Sequence, residues 1–194
     1  MKRIITISRE YGAAGGEIGR RLASELGFEY YDKSIILNVA REANIDVEHA
    51  DKWDEVVPAN FGFAQSLFDF YNRPLSEKLF EAQSKVIRKI GEETNCVIVG
   101  RNANTILKEY DHSLHVFPHA NLKWRVKRMQ EKVEGTTPEK LLEQVQLIDK
   151  QRRKYCSYYT NTEFGSAQYY DVCLDTGRLG IEQCVKILLE IARE

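Results

Sequence analysis

The chain has 194 residues, 43% hydrophobic and 29% charged, an ordinary globular composition with enough apolar mass for one sizeable core. Twenty-eight Lys and Arg against 29 Asp and Glu leave a net charge of −1. That balance disfavours both a strongly basic nucleic-acid binder and a polyacidic chain.

The first element is an apolar run, Arg3-Ile4-Ile5-Thr6-Ile7. It is too continuous for a strand with one wet face, so both faces are expected to be covered. Arg9 and Glu10 follow it too closely for a signal-peptide core. A helix is expected next, with Ile18, Leu22 and Leu26 on one face and Gly27 closing it. Phe28-Glu29-Tyr30-Tyr31 reads as a short strand. Residues 42–70 hold seven acidic residues and one Lys, then Phe61, Phe63, Phe68 and Phe70. They fall in a helical insertion expected over 36–75, folded over a pocket or serving as an acidic solvated face with a satellite core.

From Ser76 to Gly91 a mostly apolar stripe of Leu79, Phe80, Val86, Ile87 and Ile90 predicts a helix. Cys96-Val97-Ile98-Val99 and Leu114-His115-Val116-Phe117 read as strands. Residues 123–154 carry ten Lys and Arg against five Asp and Glu, in helical patterns joined at Gly135-Thr136-Thr137-Pro138. Tyr170-Asp171-Val172-Cys173-Leu174 is the last strand, and Ile181, Cys184, Leu188 and Ile191 mark the last helix. Strands alternating with helices predict a three-layer α/β domain over 1–194 with a parallel sheet.

No apolar run reaches the ~18 residues of a membrane helix. Cys96, Cys156, Cys173 and Cys184 show no paired spacing, so a reduced, cytoplasmic chain without a metal site is expected.

Chemistry concentrates at strand ends. Gly12-Ala13-Ala14-Gly15-Gly16-Glu17 lies between the first strand and first helix, where small residues let backbone N–H groups converge on an anion at a helix N-terminus. A tight packing turn would use the same residues. The loop is not a complete G-x-x-x-x-G-K-[ST] element. With Gly12 as its middle glycine, Gly15 stands at the Lys position, and neither Gly16 nor Glu17 after it supplies the Ser/Thr hydroxyl. Asp32 ends the second strand, and Gly100-Arg101 ends the Cys96–Val99 strand, the edge where open parallel sheets bind ligands. Arg101 suits an anion there, or an ion pair with Asp32 or Glu17. The run Asp149-Lys150-Gln151-Arg152-Arg153-Lys154 reads as a solvated helix face or as an arginine lid over transferring phosphoryl oxygens.

In order, Ile7-Ser8-Arg9-Glu10-Tyr11-Gly12, Tyr31-Asp32, Val99-Gly100-Arg101, Asp149 through Arg153 and Leu174-Asp175-Thr176 with Leu179-Gly180-Ile181-Glu182-Gln183 resemble the cytidylate kinase-like branch of the P-loop nucleoside monophosphate kinases. The likeness spans about residues 3–192. It implies a five-stranded parallel sheet flanked by helices, an acceptor-binding insertion and an arginine-rich lid over 135–166. It also implies transfer of the ATP γ-phosphoryl group to CMP, dCMP or another small acceptor, with magnesium. Carried over by residue, Gly12 to Glu17 hold the donor phosphates; Asp32, Arg101 and Asp149 line the acceptor. Six residues after the second-strand Asp the family carries an Arg; this chain has Asn38, and Arg41 follows one turn later as the acceptor contact. With no Lys in the loop, Arg9, Arg152 and Arg153 are the expected catalytic cations. Small nucleotides are the expected partners, with neither nucleic acid nor membrane. The same features fit a nucleotide-binding regulatory protein that kept the fold and lost turnover.

Overall fold

The computed structural model describes residues 3–36, 75–133 and 135–194. Arg41, Asn38 and the aromatic run from Phe61 to Phe70 lie outside the described residues, as does nearly all of the insertion expected over 36–75.

Five strands form one parallel sheet: β1 (Ile4–Ile7), β2 (Glu29–Tyr31), β3 (Cys96–Val99), β4 (Ser113–His119) and β5 (Val172–Asp175). Their spatial order is β2-β3-β1-β4-β5, every pairing is parallel, and Ile4 to Ile7 register against Cys96 to Val99 on one side and Ser113 to Val116 on the other. The helices among the described residues include α1 (Gly15–Leu26), α2 (Leu75–Glu93), α3 (Ala103–Ile106), α4 (Leu122–Gln130), α5 (Pro138–Thr160), α6 (Thr176–Leu179) and α7 (Ile181–Arg193), with a 3-10 turn at Ala167–Tyr169.

Two cores follow from the alternation of side chains along each strand. Ile5, Ile7, Val97, Val99, Leu114 and Val116 face Ile18 and Leu22 of α1 and Cys184, Val185 and Leu188 of α7. Ile4, Cys96 and Ile98 face the opposite way, onto Leu79, Val86, Ile87 and Ile90 of α2 and Leu107. The continuous apolar character of β1 and β3 is thereby explained: both faces are dry. Fully buried side chains of this size contribute about 1.5–3 kcal/mol each.

Local signals set the helix ends. Gly27 closes α1 in the left-handed conformation, φ 67°, with its N–H on the Ala23 carbonyl. Thr137 caps α5 through its hydroxyl and Pro138 occupies the first turn. Gly19 lets α1 lie close on the sheet, since a Cβ there would stand 2.9 Å from Val99 Cγ2 and 3.2 Å from Ile7 Cδ1. No described helix is long and apolar enough to cross a membrane.

The order reverses at β1: the chain leaves it through α1 for the β2 edge and later crosses to β4 and β5. Such a switch point opens a crevice at the carboxyl ends of the strands. The loop of small residues sits in that crevice.

Candidate functional site

The loop from Ser8 to Gly16 turns twice through left-handed backbone, at Gly12 (φ 83°) and Ala14 (φ 63°). Ala14 occupies the N-cap of α1, where its methyl group cannot accept a hydrogen bond. The Ile18 N–H returns to the Ala14 carbonyl, and no described protein group accepts the N–H groups of Gly15, Gly16 and Glu17. Three donors and the positive end of the helix dipole therefore face a cleft of about 440 Å³, bordered by Gly12, Gly16, Arg20, Tyr30, Asp32 and Met129 among others. Such an arrangement takes anions.

Arg9 lies across this loop. A Cβ on Gly15 would stand 2.7 Å from Arg9 Cβ and 2.8 Å from its Cγ, and a Cβ on Gly100 would collide with the Arg9 Nη1. The arginine stem fills the room that a side chain at position 15 would need, and its head reaches the end of β3.

At that end Gly100, Arg101 and Asn102 adopt left-handed backbone in succession, φ 88°, 60° and 53°. Two non-glycine residues in this region carry a strain of roughly 1–2 kcal/mol each. The turn holds Arg101 buried, with its guanidinium 5.8 Å from the Tyr155 ring centre. A second, small cleft of about 20 Å³ is lined by Ser8, Arg9, Arg101, Asn102, Arg152 and Tyr155, room for about one water-sized group. Arg9, Arg101 and Arg152 thus meet. Arg153 does not join them: it is exposed and borders a different cleft, with Glu10, Phe117, His119 and Phe164.

The cations around Glu17 are not those expected. Arg128 donates to Glu17 Oε2 at 2.6 Å and Lys132 at 3.3 Å, while Arg20 pairs with Asp32 at 3.4 Å and lies 4.9 Å from the Tyr30 ring centre. Burial works to raise the Glu17 carboxyl, but the hydrogen bonds and charges of Arg128 and Lys132 outweigh it and hold the group below its ordinary value. Asp32 Oδ1 also accepts from the Ser34 N–H and hydroxyl, fixing the turn after β2.

Asp149 is buried at the base of the loop. Its Oδ1 accepts the Tyr11 N–H at 2.7 Å and its Oδ2 the Arg125 guanidinium at 2.5 Å. Sequence reasoning missed Arg125, Arg128 and Lys132; the first two are i, i+3 neighbours on α4, and Lys132 follows just past its end. Among the described residues no three His, Cys, Asp or Glu side chains gather as a metal site.

A parallel sheet in this order, with a loop of small residues and free N–H groups between its central strand and first helix, defines a P-loop kinase-type α/β fold. The chain belongs to the cytidylate kinase-like family, whose model matches residues 4–178. Among solved structures it is similar to an uncharacterized protein from Eubacterium ventriosum ATCC 27560, with a TM-score of 0.76, 22% identity and 98% of both chains covered. Shikimate kinase from Bacteroides thetaiotaomicron gives a TM-score of 0.52 at 14% identity, again over 98% of both chains. The YorR protein of Bacillus subtilis, in complex with phosphorylated GDP, gives 0.53 at 15% identity over 98% of this chain and 95% of its own. At these identities the likeness is one of fold. No curated protein matches the chain.

Proposed function

We propose that this chain is a phosphotransferase that takes the γ-phosphoryl group of ATP and passes it to a small anionic acceptor, with CMP and dCMP the first acceptors to try. The observation that carries this reading is Arg9, whose side chain lies along the Gly15 position and ends beside Arg101 and Arg152. A guanidinium there can fork onto two phosphoryl oxygens, which gives the loop a cation in place of the missing lysine.

The donor phosphates rest on the backbone N–H groups of the Gly12, Ala13, Ala14, Gly15, Gly16 and Glu17 segment. Arg128, already hydrogen-bonded at this loop, adds charge at its outer side. The acceptor lies toward β2 and β3, against Arg101 and the Asp32 turn; the family resemblance adds Arg41. An oxygen of the acceptor attacks the γ-phosphorus as the bond to the β-phosphate oxygen breaks, leaving ADP. Arg9 and Arg152 meet the charge on the moving group, and one such donor is worth about 2.7–4 kcal/mol of barrier.

Among the described residues, the loop offers no hydroxyl ligand for a magnesium ion and no three acidic, His or Cys side chains gather around one. No Ser or Thr follows Gly15 in the loop, and the Oε2 of Glu17 is taken by Arg128 and Lys132. Arg9 of the loop and Arg152 of α5 are therefore assigned the charge that the protein contributes.

A coupled ADP-release assay with ATP and each common nucleoside monophosphate tests the proposal. One acceptor should stimulate release, and Arg9→Ala should abolish most of it. The carboxylate of Glu17 at the anion-receiving helix end favours a second reading, a regulatory nucleotide binder. ATP binding without transfer to any acceptor would select it.

A further inference from the structure

The backbone from Arg9 to Gly12 is gripped from outside the loop. Asp149 accepts the Tyr11 N–H at 2.7 Å, Arg125 Nη1 donates to the Tyr11 carbonyl at 2.9 Å and to Asp149 at 2.5 Å, and Arg152 Nη1 donates to the Arg9 carbonyl at 3.0 Å. Arg125 Nε also reaches the Ala120 carbonyl at 2.9 Å and stands 3.4 Å from Glu10 Oε2. Asp149 and Arg125 are 2% and 6% exposed.

Two points follow. Both carboxylate oxygens of Asp149 are committed inside the protein, which leaves the residue poorly placed to read an acceptor. The loop, in turn, has few regular hydrogen bonds of its own, because it bends through Gly12 and Ala14 between strand and helix. Its shape is imposed by α4 and α5. A buried carboxylate facing an arginine fork has little freedom to rotate, so the Tyr11 peptide plane is set by a rigid partner.

We infer that Asp149, oriented by Arg125, is a positioning residue that holds the phosphate loop in its anion-receiving shape, and that this turn of α5 buttresses the loop instead of lining the acceptor pocket. The inference rests on the reading of the loop as the ATP site. Removing the carboxylate frees the Tyr11 N–H and strips Arg125 of its counter-charge. The loop then samples other shapes, and ATP suffers before the acceptor does.

Hydrogen exchange on the full chain without nucleotide reads this directly. In Asp149→Ala, the amides of Glu10, Tyr11 and Ala13 should exchange at least about tenfold faster while those of Val97 to Val99 stay unchanged. Asp149→Asn keeps an acceptor for Tyr11 and should fall between the two. By titration, Asp149→Ala should lose about tenfold or more in ATP affinity with CMP affinity held within about threefold. Should Asp149→Ala not fold, Arg125→Lys, which keeps the charge and loses the fork, is read the same way. Unchanged loop exchange in the folded variants, or lost CMP affinity with ATP affinity intact, would overturn the inference. If the wild-type chain binds no ATP yet its loop exchange responds as stated, the buttress stands and only the functional proposal falls.

Discussion

The side chain of Arg9 lies directly on Gly15, so that a Cβ at position 15 would stand 2.7 Å from the Arg9 Cβ. The two positions behave as one: glycine at 15 is what permits arginine at 9 to cross the loop.

Gly15→Lys in the otherwise unchanged chain is therefore expected to harm activity, because it displaces Arg9. In an Arg9→Ala background the same substitution gains room and should recover part of the lost rate. A double-mutant cycle on kcat measures this, with a coupling of about 1–3 kcal/mol expected. Independent, additive losses would show that the two side chains do not compete for one place.

Single alanine substitutions of Arg9, Arg152 and Arg153 should be unequal. Arg9 and Arg152 share the small cleft with Arg101, and each should cost about a hundredfold or more in kcat. Arg153 borders the Phe117–Phe164 cleft, and its loss should stay within a few-fold. A steady-state comparison in which Arg153→Ala is the most damaging would place the transfer on the wrong side of α5.

Asn102 is strained and, in part, unsatisfied. Its φ is 53°, and its buried Nδ2 has no hydrogen-bond partner among the described residues. Asn102→Gly should relieve the backbone and remove the stranded donor, stabilising the chain by about 1 kcal/mol. In a protein of this size that raises Tm by about 2–4 °C. Acceptor affinity should fall at the same time if that donor serves the arginine cleft, which Asn102 helps to line. A rise in Tm with unchanged acceptor affinity would mean that Asn102 serves only the turn.

Glu17 supplies a pH signature. Its carboxyl is held below the ordinary 4.5: burial opposes this, but Arg128 and Lys132 prevail. A group with a lowered folded pKa adds stability that is fully present above the ordinary value and is lost as pH falls through the folded one. Urea unfolding between about pH 3 and 7 should show this acid limb in the wild-type chain and a shallower one in Glu17→Gln. The same variant removes a negative charge from the anion site and should bind ATP more tightly at neutral pH. Identical acid limbs in both chains would contradict the assignment.

Much of the fold was legible because β1 and β3 are short, continuous apolar runs, as a doubly covered parallel sheet requires, alternating with helical patterns. The loop was legible from its small residues alone. The side chains that shape it were not, because the pairs join segments far apart in the chain: Glu17 with Arg128, Tyr11 with Asp149. Charge counting over 123–154 gives a basic block but not which of its arginines turn inward. One clue was present at Asp149, which occupies a buried helix stripe with Leu141, Val145 and Cys156. A charge at such a position needs a partner inside, and that partner, Arg125, could be found only once α4 and α5 were seen side by side.

Gly19 has a consequence beyond letting α1 pack. With Val99 and Ile7 pressed against the bare backbone at that point, the glycine acts as a depth stop for the whole helix. The first turn, four residues earlier, carries the free N–H groups that face the cleft. A methyl group at position 19 would lift that turn off the sheet and change the bite between loop and arginines without touching a single ligand-facing atom. The calibration of the cleft is thus kept in the core, at a position where no side chain exists.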